Sequence, residues 1–370
     1  MLSPVDLAAT RYAKIESLTA FRFLAALIVV FFHYGRSVTG GVGMLSAGPQ
    51  MVTFFFVLSG LVMYLAHHDD HTPALRYWKA RIARIAPVYM LALVAAAVAT
   101  VVSSNNMSGA ALFFSATFLQ AWIPPYPLTI NPPGWSISVE AFFYLLFPAL
   151  LFFAKKEEMS AKKLFAISFG LWGGTQITLS ILLSNGFYTG FPSFSHDFIY
   201  FSPLFHLCSF ILGIAGGRWL IARKQEVLSP WHGFLLFGLA LSFSVLVLDN
   251  LHWFDRFFGV PMAIGTSLLA PLFLALILSV ALVDARVKWL LGSAPLVLLG
   301  EASYALYIFQ EPVHMMFVHF MPTGLLDKNG MFYAYLCLLT GLSILIHLKF
   351  ERPAKTGLLR VMGGKRNSSL

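Results

Sequence analysis

Charge is what this sequence has least of. Asp, Glu, Lys and Arg make up 11% of its 370 residues, against about 25% in an ordinary soluble domain. With 58% of residues hydrophobic, a soluble fold of this length could not hide its apolar surface. The chain therefore reads as an all-α, polytopic membrane protein. Cysteine is nearly missing as well. Cys208 and Cys337 both lie in apolar runs, which leaves no disulfide framework and no zinc-site spacing. A cleavable leader is not expected either. Residues 1–17 are polar, and Arg22 and His33 interrupt the apolar run that follows, so that run is expected to stay as a first span.

What the chain has in quantity is apolar runs. They predict about ten transmembrane helices, at residues 18–36, 51–66, 85–102, 135–153, 164–184, 200–220, 231–248, 259–283, 294–318 and 331–349. The run Ala110–Trp122 is shorter and suits an interfacial or re-entrant segment. Basic residues then sort the connections. Twenty-one of the 25 Lys and Arg fall on one side of this arrangement, while Arg36, Arg256 and Lys328 fall on the other. By the positive-inside rule both termini are cytoplasmic. Residues 1–17 form a cytoplasmic N-terminal segment and 350–370 a cytoplasmic basic tail of one integral-membrane domain, 1–370. The net charge of +9 is a topology signal, and no nucleic-acid partner is implied. The longest external connection, Ser103–Gly134, contains Pro124, Pro125, Pro127, Pro132 and Pro133. It is a stiff, shaped loop, either a plain turn or an acceptor-binding element.

Several polar residues interrupt these apolar runs. Arg22 and His33 share one stripe of the first span, separated by about 16 Å along the helix axis. Ionisable groups inside a bilayer are costly and mark pathways or sites; the alternative is a snorkelling Arg and a His that caps a carbonyl. The fourth span opens GWSISVEAFFYLLFP, with Glu140 about 8 Å inside its external end, a depth that His33 also reaches. A carboxylate and an imidazole in one layer make a candidate general-base pair, unless Glu140 serves an ion pair that only holds helices together. Trp135, Ser136 and Ser138 lie at the mouth as candidate contacts to a polar ligand. Arg81 and Arg84, at the cytoplasmic start of the third span, suit phosphate groups or, equally, lipid headgroups. The ninth span, GEASYALYIFQEPV, places Ser303, Tyr304, Tyr307 and Gln310 between Glu301 and Glu311, a polarity that points to a lined cavity. Pro312 would loosen the helix there. Ser59 and Gly60 read as site residues or, equally, as close packing. The run His67, His68, Asp69, Asp70, His71 is expected to be a solvated turn, and no metal is expected. His206 is a reserve candidate for the cavity, and His314 and His319 do not share a helix face.

In order and spacing, these pieces resemble acyltransferase family 3, the integral-membrane acyltransferases that decorate bacterial surface glycans and some secreted small molecules. The carriers are Arg22 to His33, FFFVLSG at 54–60, RIARIAPVY at 81–89, WSISVEAFFY at 135–144 and LGEASYALYIFQEP at 299–312. The resemblance implies an acyl-CoA donor, usually acetyl-CoA, used as a substrate with no permanently bound cofactor. It implies a hydroxyl acceptor, glycan or small molecule, on the other side of a bacterial cytoplasmic (inner) membrane. It puts Arg22 on the donor's path and His33 with Glu140 at the reacting centre. Arg81 and Arg84 would then take donor phosphates, and Trp135, Ser138, Ser303, Tyr304, Tyr307 and Gln310 would line the acceptor site. The ninth-span motif commonly ends in histidine where this chain has Gln310, which cannot titrate. The chain is also expected to lack the extracytoplasmic hydrolase-like domain that some relatives append. A transporter or flippase of a glycan precursor is the alternative. It needs the same spans and basic loops, but no paired half-length spans recur in the two halves and there is no internal repeat. Nothing in the sequence speaks to oligomeric state.

Overall fold

A bilayer core offers no water, so backbone N–H and C=O groups have to pair within the chain, and helices do this segment by segment. The computed structural model obeys that rule: every regular element among the described residues is helical. The structure describes residues 4–40, 45, 47–69, 72–104, 107–223, 230–250, 253, 256, 257, 259–282, 293–322 and 324–362. Asp70, His71, Lys224, Arg286, Lys288, Lys365 and Arg366 lie outside the described residues, as do the outer ends of the 1–17 segment and the 350–370 tail.

In chain order the helices are α1 Pro4–Tyr34, α2 Arg36–Thr39, α3 Gly48–His67, α4 Ala74–Ser104 and α5 Gly109–Ala116. Then come α6 Gly134–Lys155, α7 Ala161–Ser184, α8 Phe194–Phe201, α9 Pro203–Ala222 and α10 Pro230–Asp249. The last are α11 Ala270–Leu282, α12 Ala294–Phe320, α13 Lys328–Ile346, a π-helical turn His347–Glu351 and α14 Arg352–Val361. Among the described residues, seven helical segments are long and apolar enough to cross a membrane. They are α3, α4, α6, α7, α8 with α9, α10, and α13 with α14. The three other expected spans coincide with Leu18–Tyr34 of α1, with α11, and with α12, whose 27 residues rise about 40 Å but include Glu301, Gln310 and Glu311. The run that starts at Ala110 forms only the eight-residue α5, about 12 Å long and too short to cross.

The chain divides into two compact units, and the division falls within the continuous helices α6 and α12. The first unit comprises Met1–Asp69 and Ala149–Glu301. Its tightest packing is α3 against α9. A Cβ on Gly60 would sit 2.0 Å from the Phe210 carbonyl oxygen, and one on Gly213 2.1 Å from that of Val57. Only hydrogen fits at either position, so the backbones touch, the small-residue crossing typical of membrane helices. Gly60 is therefore a packing residue. The same holds for Gly300 in the ninth-span motif, where a Cβ would meet the Thr19 carbonyl oxygen of α1 at 2.1 Å.

The expected eighth span, 259–283, is helical only from Ala270 onward among its described residues. Gly259 has a left-handed φ of +66°, and Pro261 and Gly265 are poor helix formers. Non-helical backbone at membrane depth has to be buried and paired, and here it is. Ala263, Thr266, Ser267, Leu268 and Leu269 are buried. Thr53 Oγ1 donates to the Thr266 carbonyl at 2.6 Å, Gln50 Nε2 to that of Ile264 at 3.2 Å, and Trp172 Nε1 to that of Ser267 at 3.0 Å.

The second unit comprises Asp70–Pro148 and Ala302–Leu370. Within it α4 and α6 run antiparallel. Gly134 abuts the Tyr89 ring, with a built Cβ 3.3 Å from it, and ten residues further on Trp78 Nε1 donates to the Tyr144 carbonyl at 3.2 Å. Tyr89 lies about 22 Å of helical rise short of Ser104. The connection between α5 and α6 therefore folds back along α4, and α6 begins well inside the unit. Gln120 Nε2 holds this re-entrant stretch, donating at 2.8 Å both to the Tyr89 hydroxyl and to the Gly134 carbonyl.

Candidate active site

The second unit holds nine of the predicted site residues: Arg81, Arg84, Trp135, Ser138, Glu140, Ser303, Tyr304, Tyr307 and Gln310. Six of them, Arg81, Arg84, Glu140, Tyr304, Tyr307 and Gln310, fall into two layers, because α4 and α6 are antiparallel in fixed register.

The first layer is ionic. By that register Glu140 is level with the stretch between Arg81 and Arg84, and it lies within electrostatic reach of Arg81. Tyr144, one helical turn beyond Glu140, donates its hydroxyl to Glu140 Oε1 at 2.5 Å. The Arg81 guanidinium carbon lies 5.8 Å from the ring centroids of both Tyr77 and Tyr144, a cation–π arrangement worth about 0.5–2 kcal/mol. Arg84 is in electrostatic reach of Tyr144. The re-entrant connection starts α6 alongside Tyr89, so the carboxylate shares the layer of Arg81 and Arg84.

The second layer is a network of neutral hydroxyls and amides. Ser136 Oγ donates to the Pro133 carbonyl at 3.0 Å and lies 2.9 Å from the Tyr307 hydroxyl. Gln310 is fully buried, and its Nε2 donates to the Tyr307 carbonyl at 2.7 Å. Tyr335 on α13 donates to the Gln310 carbonyl at 2.9 Å. Tyr304 joins the two layers, its hydroxyl donating to the Ile85 carbonyl at 2.9 Å. Two of these contacts follow from proline. Lacking an N–H, a helix proline leaves the carbonyl four residues earlier without its partner. Pro148 frees the Tyr144 carbonyl, which Trp78 takes; Pro312 frees that of Ile308, which Asn131 Nδ2 takes at 3.0 Å.

Ser138 stands apart from both layers. Its hydroxyl donates to the Phe118 carbonyl at 2.5 Å, and Phe118 has a left-handed φ of 58°, as does Ile130. Such a backbone costs about 1–3 kcal/mol at a non-glycine residue, and the Ser138 bond helps hold it. Trp135 and Ser303 are buried at 8% and 2% exposure.

Arg22 and His33 belong to the first unit. Arg22 is half-buried on α1, while His33, in the last turn of that helix, is exposed. The rings of Phe32 and Tyr34 flank His33 at 5.1 and 5.8 Å. His206 is buried, with Nε2 3.0 Å from the Tyr200 carbonyl oxygen. His67 and His68 each bond a carbonyl of their own helix, that of Met63 and that of Leu65.

Sequence reasoning missed Tyr77, Gln120, Asn131, Tyr144 and Tyr335. Tyr144 and Tyr77 carried a signal, each standing one turn from a charged residue on its own helix, Glu140 and Arg81. The rest reach the site from a loop or another helix.

Comparison with known proteins places the chain in a family. A family model described as "Acyltransferase domain" matches residues 15–348. Acyltransferase MdmB of Streptomyces mycarofaciens is 26% identical over 332 residues, covering 84% of this chain and 80% of that protein. O-acetyltransferase OatA of Staphylococcus aureus (strain NCTC 8325 / PS 47) is 23% identical over 337 residues, covering 81% of this chain. The chain spans about half the length of this staphylococcal relative, 50%. No solved structure matches the chain.

Proposed function

The chain belongs to the acyltransferase-domain family, and from that premise we propose that it carries an acyl group, acetyl in the first instance, from cytoplasmic acyl-CoA to a hydroxyl of an extracytoplasmic carbohydrate or related acceptor. The carrying observation is the extent of the family match, 15–348, which takes in the Arg22–His33 helix and the whole layer of Arg81, Arg84 and Glu140. That match favours the enzyme over the transporter or flippase of a glycan precursor.

In this reading His33 takes the proton from the acceptor hydroxyl as its oxygen attacks the thioester carbonyl. The C–S bond breaks, and the imidazolium returns the proton to the departing CoA thiolate. A covalent acyl-histidine is the other route to the same products. Arg22, Arg81 and Arg84 bind the donor's phosphates. Ser303, Tyr307 and Gln310 supply hydroxyl and amide groups to the acceptor and to the developing oxyanion, with Trp135 and Ser138 shaping the entry.

Glu140 has two readings. It assists His33 as the carboxylate of a general-base pair, or it holds Arg81 and Arg84 in place for the donor; its position in the arginine layer favours the second. Glu140→Gln separates them. A base partner would move the pH–rate profile and lower kcat, whereas an arginine holder would raise KM for acyl-CoA with kcat kept. The test of the whole reading is purified protein with radiolabelled acetyl-CoA and hydroxyl acceptors. Free thiol should appear, and His33→Ala should abolish it while membrane insertion is unchanged. Full turnover in His33→Ala would remove the mechanism.

A further inference from the structure

A second ionisable cluster lies in the second unit, where α13 ends. His347 is 5% exposed. Its Nδ1 lies 2.8 Å from Glu351 Oε2, and its Nε2 accepts from Arg352 Nε at 3.0 Å. An arginine N–H can only donate, so Nε2 bears no proton and Nδ1–H donates to the carboxylate. Glu351, His347 and Arg352 thus form a relay with one direction. The π turn His347–Glu351 makes this possible. On a regular α-helix, residues five apart face about 140° away from each other; the wider π turn brings His347 and Arg352 onto one face. Such turns interrupt helices mostly at functional sites.

The relay reaches Arg352, which is exposed. Anchoring at Nε fixes the plane of the guanidinium, while the terminal nitrogens carry four of its five N–H donors. The surroundings are basic. α14 packs along the start of α4, where Lys79 Nζ donates to the Met362 carbonyl at 3.1 Å. Arg76, Lys79, Lys355 and Arg360 all belong to these two segments. Glu351 is in electrostatic reach of Tyr304, so the cluster adjoins the ionic layer of the site.

We propose that Arg352 is a binding residue for a phosphate ester, held in orientation by His347 and Glu351 as positioning residues. A fixed planar fork among further cations suits a phosphate group rather than a single carboxylate. Two ligands carry that chemistry to the face expected to be cytoplasmic, the nucleotide portion of acyl-CoA and the headgroup of an anionic phospholipid. The first rests on the donor reading above.

The test uses the full chain in nanodiscs, with CoA binding measured by calorimetry in phosphatidylcholine and Tm measured in phosphatidylcholine and phosphatidylglycerol. Arg352→Gln is expected to weaken CoA binding about tenfold, the loss of one charge-assisted contact. His347→Phe should match it by releasing the anchor, while Glu351→Gln, which keeps an acceptor for Nδ1–H, should stay nearer wild type. A Tm unchanged in phosphatidylcholine separates this from loss of fold. If Arg352→Gln keeps its CoA affinity but loses a Tm gain given by phosphatidylglycerol, the phosphate is the lipid's and the site stands. If neither quantity changes, the proposal is overturned. Wild-type protein that binds no CoA at all would sink the donor reading alone, because the lipid measurement still judges Arg352.

Discussion

Tyr144 shows how much of an ionic site depends on a neutral residue. Its hydroxyl caps Glu140 at 2.5 Å while its ring lies against Arg81, so one side chain touches both signs of the layer. Tyr144→Phe keeps the ring and removes the hydrogen bond. A bond to a charged group contributes about 1.5–3 kcal/mol. If Glu140 acts at the transition state, that removal should lower kcat/KM roughly tenfold to a hundredfold, with CoA affinity holding where the guanidinium stays stacked. Arg22, His33 and Glu140 stand out in the sequence because a charge in an apolar run is costly, and Arg81 and Arg84 because their spacing puts them on one helix face. Asn131 and Gln120 do not, and Tyr144 does so only through its spacing from Glu140. An amide in a proline-rich loop is ordinary composition, and only the fold brings it to the freed carbonyl.

Two helix prolines act as addresses at the level of the element. Each exposes one carbonyl at a defined place, and a side chain from elsewhere in the unit fills it. Asn131→Ala would leave the Ile308 carbonyl buried and unpaired, at a cost of about 1–3 kcal/mol, read as a lower Tm in detergent. Pro312→Ala restores an N–H to that carbonyl, so Asn131→Ala should cost less in the Pro312→Ala background. Additive losses in that double-mutant cycle would show that the contact contributes no coupling. The sequence marked Pro312 as a loosening point but gave no hint of its partner, which lies 177 residues away in the chain. The eighth span is helical only from Ala270 onward among its described residues, for a related reason. Hydropathy sees apolar residues at 259–269 but not that Thr53, Gln50 and Trp172 replace the helical hydrogen bonds there.

For the whole molecule, the helical class and the positions of most spans were legible, because length and apolarity alone carry them. What apolarity does not encode is which helices touch. In the first unit that information sits in glycines. Gly213→Ala would place a methyl 2.1 Å from the Val57 carbonyl oxygen, and a backbone atom cannot rotate away as a side chain can. The loss should reach about 3 kcal/mol or more, seen as poor yield of folded protein. Gly238→Ala, with open space around the built Cβ, should express normally. Equal behaviour of the two variants would contradict the close α3–α9 crossing.

The link from Asn131 to Ile308 also has a consequence in time. The re-entrant stretch emerges from the ribosome well before the helix that completes it. At about 5–20 residues per second, the 177 intervening residues take roughly 10–35 s to make. During that interval the Asn131 amide has no α12 to dock on, and the translocon or solvent has to shelter it. Maturation of this unit therefore waits on a helix synthesised well after the loop it holds, and a nascent chain arrested before Ala294 should expose residues 117–133 to proteases that spare them in the finished protein.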